Sequence, residues 1–552
     1  MQRMNKAVSA VLSVAMMGVI LTACAENNKE AVPAASGSAS SSSEASSSGA
    51  TASSAGETGS VYPLKTDVTL SQWIEADPSL LALKPNYAEF PLYQELVNRT
   101  GVNIKYIHPA TNQAKEQLNV MFASGDYADI MEWRWMENYP GGPEKAMEDG
   151  NILKLNDLID QYAPNLKVYL QEHPDVDKQI KTDSGTYYGF PFVRGDDSLK
   201  VFQGPILRKD WLDELGLQVP TTIDEWHTVL QAFKEKKGAE APLTFASQPR
   251  LLDVIQGGGG FVGAYGVGYS FYLQDGQVKY GPNESGFKDF LATFHQWYAE
   301  GLIDVDVATV DSKILTEKMT SGKSGATIAN AGGGLGNWMS AMKEKDPSYD
   351  LVGAPYPVLN KGDTPMMGQK DFSAPYGGYF AISPKSEHPE IAVQYLDYGF
   401  SEEGQMLYNF GIEGVSYTMK DGYPTYTDAV MSNFSQNYGQ YTRATNGPTV
   451  QDKRYYEQFA SLPQQTEAIQ QWMKTDADNH VIPPVSPTAE ESTEMAKIMN
   501  EVQTLVDETV IKVIIGRESI DDFDKFQQKL KSLKIDRAIE IKQAAYDRYM
   551  SR

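Results

Sequence analysis

The chain has 552 residues, with 72 acidic against 48 basic side chains and a formal net charge of -24. That balance excludes nucleic acid as a partner, because phosphates need a Lys and Arg surface, and it excludes electrostatic adhesion to an anionic membrane. A single cysteine, Cys24, excludes an intramolecular disulfide and a thiolate metal cluster.

At the N-terminus Arg3 and Lys6 precede an apolar run, AVSAVLSVAMMGVILTA, from Ala7 to Ala23. A charged segment followed by such a run predicts a secretory signal peptide over residues 1–23. Its end, Leu21-Thr22-Ala23-Cys24, resembles the bacterial lipobox, and the resemblance implies cleavage before a lipid-bearing Cys24. Two acyl chains on one residue anchor durably where one holds only marginally, at about 0.8 kcal/mol per buried methylene. Residues 24–61 are rich in Ser, Ala and Gly with few bulky apolar side chains, which predicts a flexible tether reaching roughly 35 Å. No later segment approaches the roughly 18 to 20 apolar residues that a membrane span needs. The expected location is therefore the extracellular face of the cytoplasmic membrane, and the long tether points to a Gram-positive cell.

Residues 62–552 are too many for one core and predict two domains. Strand and helix signals alternate, the α/β pattern. VTLSQW (68–73) reads as a strand, PLYQELVNRTG as a helix and VNIKYIHP as a second strand. AKEQLNVMFASG is a helix with Leu118, Met121 and Phe122 on one face and Gly125 as its stop. ADIMEW is a third strand, and LNDLIDQYAPNL one further helix. The pattern restarts at GPILRKDWLDELGL. Thr222 and Glu225 form a capping box ahead of an apolar stripe from Ile223 to Phe233. ESGFKDFLATFHQWYAEG is a second amphipathic helix closed by Gly301, and Trp226 and Trp297 on these helices read as core. Two last helices open at Thr488 and Ser519. The eight Trp otherwise sit largely in loop-like contexts, and the 31 Tyr suit a ligand cleft.

Sites in open α/β sheets form beyond the carboxyl ends of the strands. The loops after VTLSQW and ADIMEW supply Trp73, Glu75 and Asp77, then Trp133, Arg134 and Trp135. Flat rings beside polar groups suit the apolar face and hydroxyl rim of a sugar. Other motifs carry less. Gly258, Gly260 and Gly263 satisfy G-x-G-x-x-G, but a Tyr- and Gly-rich segment follows where a helix is required. SGKS (321–324) lacks the first glycine of a phosphate loop, with Glu317 in its place. The six histidines are scattered without an H-x-x-x-H pair for zinc.

The ordered set MFASGDYADI, LNDLIDQYAPNLKVYLQEHPDVDKQI, GPILRKDWLDELGLQVPTTIDEW, FYLQDGQVKYG, HQWYAEGLID, KMTSGKSGATIANAG, YGGYFAISPKSEHPEIAVQYL and NFGIEGVSYTMKDG resembles the extracellular solute-binding proteins of ABC importers, of the sugar-binding lipoprotein type that includes alginate-oligosaccharide and maltodextrin binders. The resemblance implies an α/β, two-lobed periplasmic-binding-protein-like fold of type II with the ligand in the cleft between lobes. It places lobe one at 62–190 plus 378–430 and lobe two at 191–377 plus 431–515, with 516–552 as a C-terminal helix packed on the body. It implies capture of a carbohydrate, delivery to the transmembrane permease of an ABC transporter, no catalysis and no cofactor, in a monomer. By the same resemblance Trp133 and Trp338 stack on the sugar from opposite lobes, and Tyr376 and Tyr379 lie on a crossing segment. Alginate-type binders carry a calcium loop after the helix that here ends in FKEKKGAEAPLT. The ammonium groups of Lys234, Lys236 and Lys237 disfavour a hard cation, so no calcium is expected at that turn. The alternatives are a glycan-active enzyme, for which two carboxylates across a cleft suffice, and a peptide or polyamine binder on the same fold.

Overall fold

The computed structural model describes residues 61–246 and 260–552. The expected signal peptide, Cys24 and the tether up to residue 60 lie outside the described residues, as does Gly258. In chain order the strands are β1 (Thr69–Trp73), β2 (Asn103–Ile107), β3 (Ile130–Glu132), β4 (Phe190–Pro191), β5 (Val193–Arg194) and β6 (Gln203–Arg208). Then come a hairpin of β7 (Phe271–Gln274) and β8 (Gln277–Tyr280), followed by β9 (Ala326–Asn330), β10 (Leu351–Gly353) and β11 (Gly378–Ile382). A second hairpin, β12 (Tyr417–Lys420) with β13 (Tyr423–Tyr426), precedes β14 (Val450–Gln451).

Two sheets organise two lobes. The first has the order β2-β1-β3-β11-β4, with β1 parallel to both β2 and β3 and β11 antiparallel to β3. The second, β10-β6-β9, is antiparallel throughout. Between them the chain crosses three times, from β4 to β6, from β10 to β11, and from β14 toward the helix Pro463–Trp472, which packs on β10. At the crossings β14 pairs in parallel with β5, and Arg194 bonds Asp371 through Nη2 at 2.7 Å.

Local signals explain most helix ends. Pro91–Thr100 begins with proline, whose missing N–H costs nothing at a first turn, and stops at Gly101 with φ 75°. A Cβ at Gly101 would lie 2.3 Å from the Leu64 carbonyl oxygen, so both the left-handed backbone and the close approach demand glycine. Thr222 and Glu225 form the expected reciprocal cap on Ile223–Lys237. In lobe two the Trp472 ring lies flat against Gly204, 2.5 Å from where a Cβ would stand, and its indole N–H donates to the Ala354 carbonyl at 3.0 Å.

Three expectations need correction. LNDLIDQYAPNL is two helices, Asn156–Tyr162 and Pro164–Glu172, because the residue before a proline is pushed out of the helical region; Ala163 has φ -121° and ψ 64°. Ser519 caps only a short 3-10 turn, Ile520–Asp522, and the tail continues as Phe523–Ser532 and Ile535–Ser551, parted at Lys534 with φ 66°. The eight Trp do not sit largely in loops: Trp73 ends a strand, Trp135, Trp211, Trp226, Trp297, Trp338 and Trp472 lie in helices, and Trp133, the most accessible at 9%, alone lies outside a helix or strand. Large rings give the most apolar area to a core, and the core takes them.

Within the segment 431–515 the packing is divided. The helix Phe434–Tyr441 lies on lobe-one helices Pro78–Leu81 and Pro91–Thr100, whereas Pro463–Trp472 lies on the second sheet. The long helix Ala489–Ile514 touches Gly142–Glu148 on one side and Ser285–Ala299 on the other. Arg548 in the last helix bonds Asp183 at 2.6 Å and Glu491 at 2.5 Å.

Candidate functional site

At the carboxyl end of the first sheet, β1 and β3 are in register with Trp73 beside Met131. The strand direction carries on past Glu132, where the Trp133 N–H donates to the Tyr379 carbonyl at 3.0 Å. Trp73 sits behind Trp133 edge to face, ring centroids 5.6 Å apart, and holds that ring in place. A cavity of about 480 Å³ opens there, lined by Glu75, Asp77, Tyr87, Glu132, Trp133, Arg134, Asn138, Tyr379 and Asn446, with Ala76 and Pro78.

Its polar groups are held by named contacts. Asp77 Oδ1 accepts from the Ser79 N–H and hydroxyl at 2.8 and 2.7 Å, capping a short helix, and the Asp77 N–H donates to the Tyr87 hydroxyl at 2.8 Å. Arg134 lies over the Tyr376 ring, 4.3 Å from its centroid, and donates to its hydroxyl at 3.3 Å. Tyr376 and Tyr379 are 5.3 Å apart at their centroids. Burial pushes the Tyr379 phenol well above its usual range, so it keeps its proton and stays a donor.

Beneath this floor lies a buried ion pair. Arg443 Nη2 donates to Glu132 Oε1 at 2.5 Å, with both side chains under 9% exposed. Burial raises the Glu132 carboxyl above its usual range, opposed by the Arg443 charge and by the nearby Tyr379 hydroxyl. Glu132 Oε2 is buried and accepts no hydrogen bond.

Of the nine expected residues the structure brings together Trp133, Tyr379, Arg134, Glu75 and Asp77 around the cavity, and Tyr376 joins them through Arg134. Trp73 is 3% exposed and supports Trp133 from behind rather than lining the space. Trp135 and Trp338 are corrected to packing residues. Trp135 is fully buried among Phe122, Tyr139 and Ile152, because the chain turns into the helix Trp135–Asn138 right after Arg134. Trp338 packs in the lobe-two core with Leu335 and Trp472, its N–H bonded to Thr316 Oγ1 at 3.1 Å. Sequence reasoning missed Tyr87, Glu132, Asn138, Asn446 and the supporting Arg443. Glu132 lies inside ADIMEW, which was read as a strand without a role for this residue; Arg443 and Asn446 come from more than 300 residues away and carry no local signal.

Two other cavities flank this one. A space of about 750 Å³ is bounded by Tyr376, Asp371, Pro483, Pro484 and the C-terminal helices. It shares none of Glu75, Asp77, Trp133 and Arg134, the residues just past β1 and β3, so the smaller cavity is the one at those strand ends. A third, of about 230 Å³, is lined by Arg194, Asn330, Thr445, Gln451, Tyr455 and Phe459, and adjoins the first through the segment 443–451.

The rejected motifs behave as turns. SGKS follows the helix Ser312–Ser321, with Gly322 left-handed at its end, and leads into β9, the reverse of a phosphate loop. After Gly260 the chain makes one 3-10 turn, Val262–Tyr265, and enters β7. At the Lys-rich turn Gly238 ends the helix, Lys234 bonds the Glu300 carbonyl and Lys237 bonds Glu214. Among the described residues no group of three or more His, Cys, Asp or Glu is placed to hold a metal ion.

Two lobes joined by three crossings, with a cavity at the strand ends of one of them, define a solute-binding protein. The chain belongs to the bacterial extracellular solute-binding protein family, which matches residues 84–406. It is similar to lipoprotein LipO of Bacillus subtilis, 28% identical over 66% of this chain and 71% of that protein. It is also similar to the fructooligosaccharide ABC transporter substrate-binding protein FusA of Streptococcus pneumoniae, 23% identical over 89% of this chain and 93% of that one. Among solved structures, the alginate-binding protein AlgQ2 without calcium ion superposes with a TM-score of 0.71 at 26% identity, covering 88% of this chain and 99% of that chain.

Proposed function

We propose that this chain is a lipid-anchored extracellular receptor that captures a carbohydrate, an oligosaccharide in particular, and hands it unchanged to an ABC transporter permease. The observation that carries the reading is the Trp133 ring, held by Trp73 at the wall of a cavity whose polar groups are carboxylates, amides, phenols and one guanidinium. A pyranose or furanose offers the complementary apolar face and hydroxyl rim. Relatives support the same class. One is named for fructooligosaccharide, another from Bacillus subtilis for polygalacturonan and rhamnogalacturonan, and a third for melibiose, raffinose and stachyose.

Calorimetry on a panel of oligosaccharides tests the reading directly, with chromatography of the recovered sugar as the check on catalysis. Trp133→Ala should weaken binding by about 2 kcal/mol or more, roughly thirtyfold, as loss of a central aromatic anchor does. A folded Trp133→Ala protein with undiminished affinity would place the sugar elsewhere, and shortened sugar chains after incubation would make the protein an enzyme.

Anchoring at Cys24 belongs to the same proposal. Cys24→Ser should move the protein from the membrane fraction to the medium while sugar affinity stays as in the parent, since residues 24–61 separate the cysteine from the site. Retention in washed membranes after the substitution would refute a lipid on Cys24.

A further inference from the structure

The larger flanking cavity, of about 750 Å³, has the size and lining of a small-molecule site, which typically spans about 300–1,000 Å³ and sets a few polar groups among apolar ones. Its apolar wall includes Phe202, Tyr376, Pro483 and Pro484. Of its four charged residues two are committed elsewhere, Asp371 to Arg194 and Lys370 to Asp478. Glu137 and Lys542 are not. The Glu137 side chain is half exposed, and its one ion pair is with Arg134 at 3.7 Å. Lys542, on the last helix, is half-buried, and its ammonium has no hydrogen-bond or ion-pair partner among the described residues. That ammonium is also not one of the sealed side-chain atoms that lack a partner, so it keeps accessible surface. Burial holds it below its usual range, and the nearby Glu137 carboxylate opposes the shift.

An ammonium only donates and a carboxylate only accepts. These two make no direct ion pair, so each is left to water or to a ligand. A hydroxyl does both, and neighbouring hydroxyls of one sugar unit can therefore satisfy the ammonium and the carboxylate together, while rings such as Tyr376 and Phe202 suit its C–H face. The cavity also adjoins the site at the strand ends. Around the short helix Trp135–Asn138, Arg134 and Asn138 line the smaller cavity, whereas Met136 and Glu137 line the larger. Tyr376 lines the larger one too and carries Arg134 over its ring, 4.3 Å from the centroid. One layer of side chains thus separates the two spaces.

We propose that the larger cavity is a second carbohydrate subsite, in which Lys542 donates to, and Glu137 accepts from, the hydroxyls of a sugar unit further along the chain than the one at Trp133. The protein then prefers oligosaccharides of several units to short ones. The inference rests on the carbohydrate reading above and is tested so that the two fail differently. The mature chain is applied to an array of neutral oligosaccharides of one to five units in each common linkage, and the retained series is titrated by calorimetry. Affinity should rise with chain length in the parent. Lys542→Met keeps the side-chain stem and removes the ammonium, and should weaken the longest member by about tenfold, the order expected for a lost hydrogen bond to a charged group. The shortest member that binds should keep its parent affinity. Trp133→Ala, by contrast, should weaken every length. Because Lys542→Met removes a charge that burial disfavours, its sugar-free melting temperature should equal or exceed the parent's; a lower one would make Lys542 a packing residue and overturn its role in binding. Glu137→Gln, at a side chain 50% exposed, gives a second measurement, with a length-dependent loss again expected. An affinity that does not rise with length, a loss equal at all lengths, or no loss in either variant overturns the subsite and leaves the carbohydrate reading standing. Retention of no glycan by the parent overturns both.

Discussion

Arg443→Met should lower the unfolding free energy by about 3–5 kcal/mol at pH 7, because it leaves the Glu132 charge buried without its partner. The loss should depend on pH with a defined sign. Burial raises the folded-state pKa of Glu132 above its unfolded value, so the stability linked to its proton is present below the unfolded pKa and lost as pH rises through the folded one. Removing Arg443 raises that folded value further. The deficit should therefore be largest at neutral pH and shrink as the solution is acidified toward the carboxylate range. Urea titrations of parent and variant at both ends of that window measure it, and a deficit that is absent at pH 7 or grows in acid would contradict the account. Glu132→Leu combined with Arg443→Met should recover most of the loss, as apolar replacement of a whole buried pair does.

That pair also marks how far the sequence could be read. Features written within a few residues of one another were legible: the capping box at Thr222 and Glu225, the glycine stop at Gly125, and β1, β2 and β3 in place. Even the break at Ala163 was written locally, in the proline that follows it. The general position of the site was legible too, because it depends on strand direction, and the loops after β1 and β3 do frame the cavity. What each ring does there was not legible. Trp133 and Trp135 are two residues apart with the same local chemistry, yet one lines the cavity and the other is sealed beneath it. The difference is made by the turn at Arg134 and by Phe122, Ile152 and Tyr139 closing over Trp135. Likewise nothing near Glu132 announces Arg443, 311 residues further on. The helices after residue 488 extend this lesson, since they touch elements of both lobes.

Trp135→Ala and Trp338→Ala should each cost about 3–5 kcal/mol of stability, the range for truncating a core Trp to Ala, with the thermal transition of the sugar-free protein falling accordingly. Trp135 makes ring contacts with Phe122 at 6.4 Å and Tyr139 at 6.0 Å, while its indole N–H finds no acceptor. Phenylalanine keeps most of that packing and removes the unpaired donor, so Trp135→Phe should cost far less than Trp135→Ala. Trp338 is arranged differently. Its N–H is bonded to Thr316 Oγ1, and Trp338→Phe forfeits a hydrogen bond along with ring area, which should make it the more damaging of the two Phe variants. Melting curves without sugar and calorimetry with it separate this from a binding role. A core ring moves the melting curve and leaves the affinity of the folded fraction near the parent value, whereas a stacking ring does the reverse, as Trp133 is expected to. Should Trp338→Ala melt like the parent and bind sugar weakly, its ring must turn out of the lobe-two core into the cleft on ligand closure, and the packing assignment would be wrong.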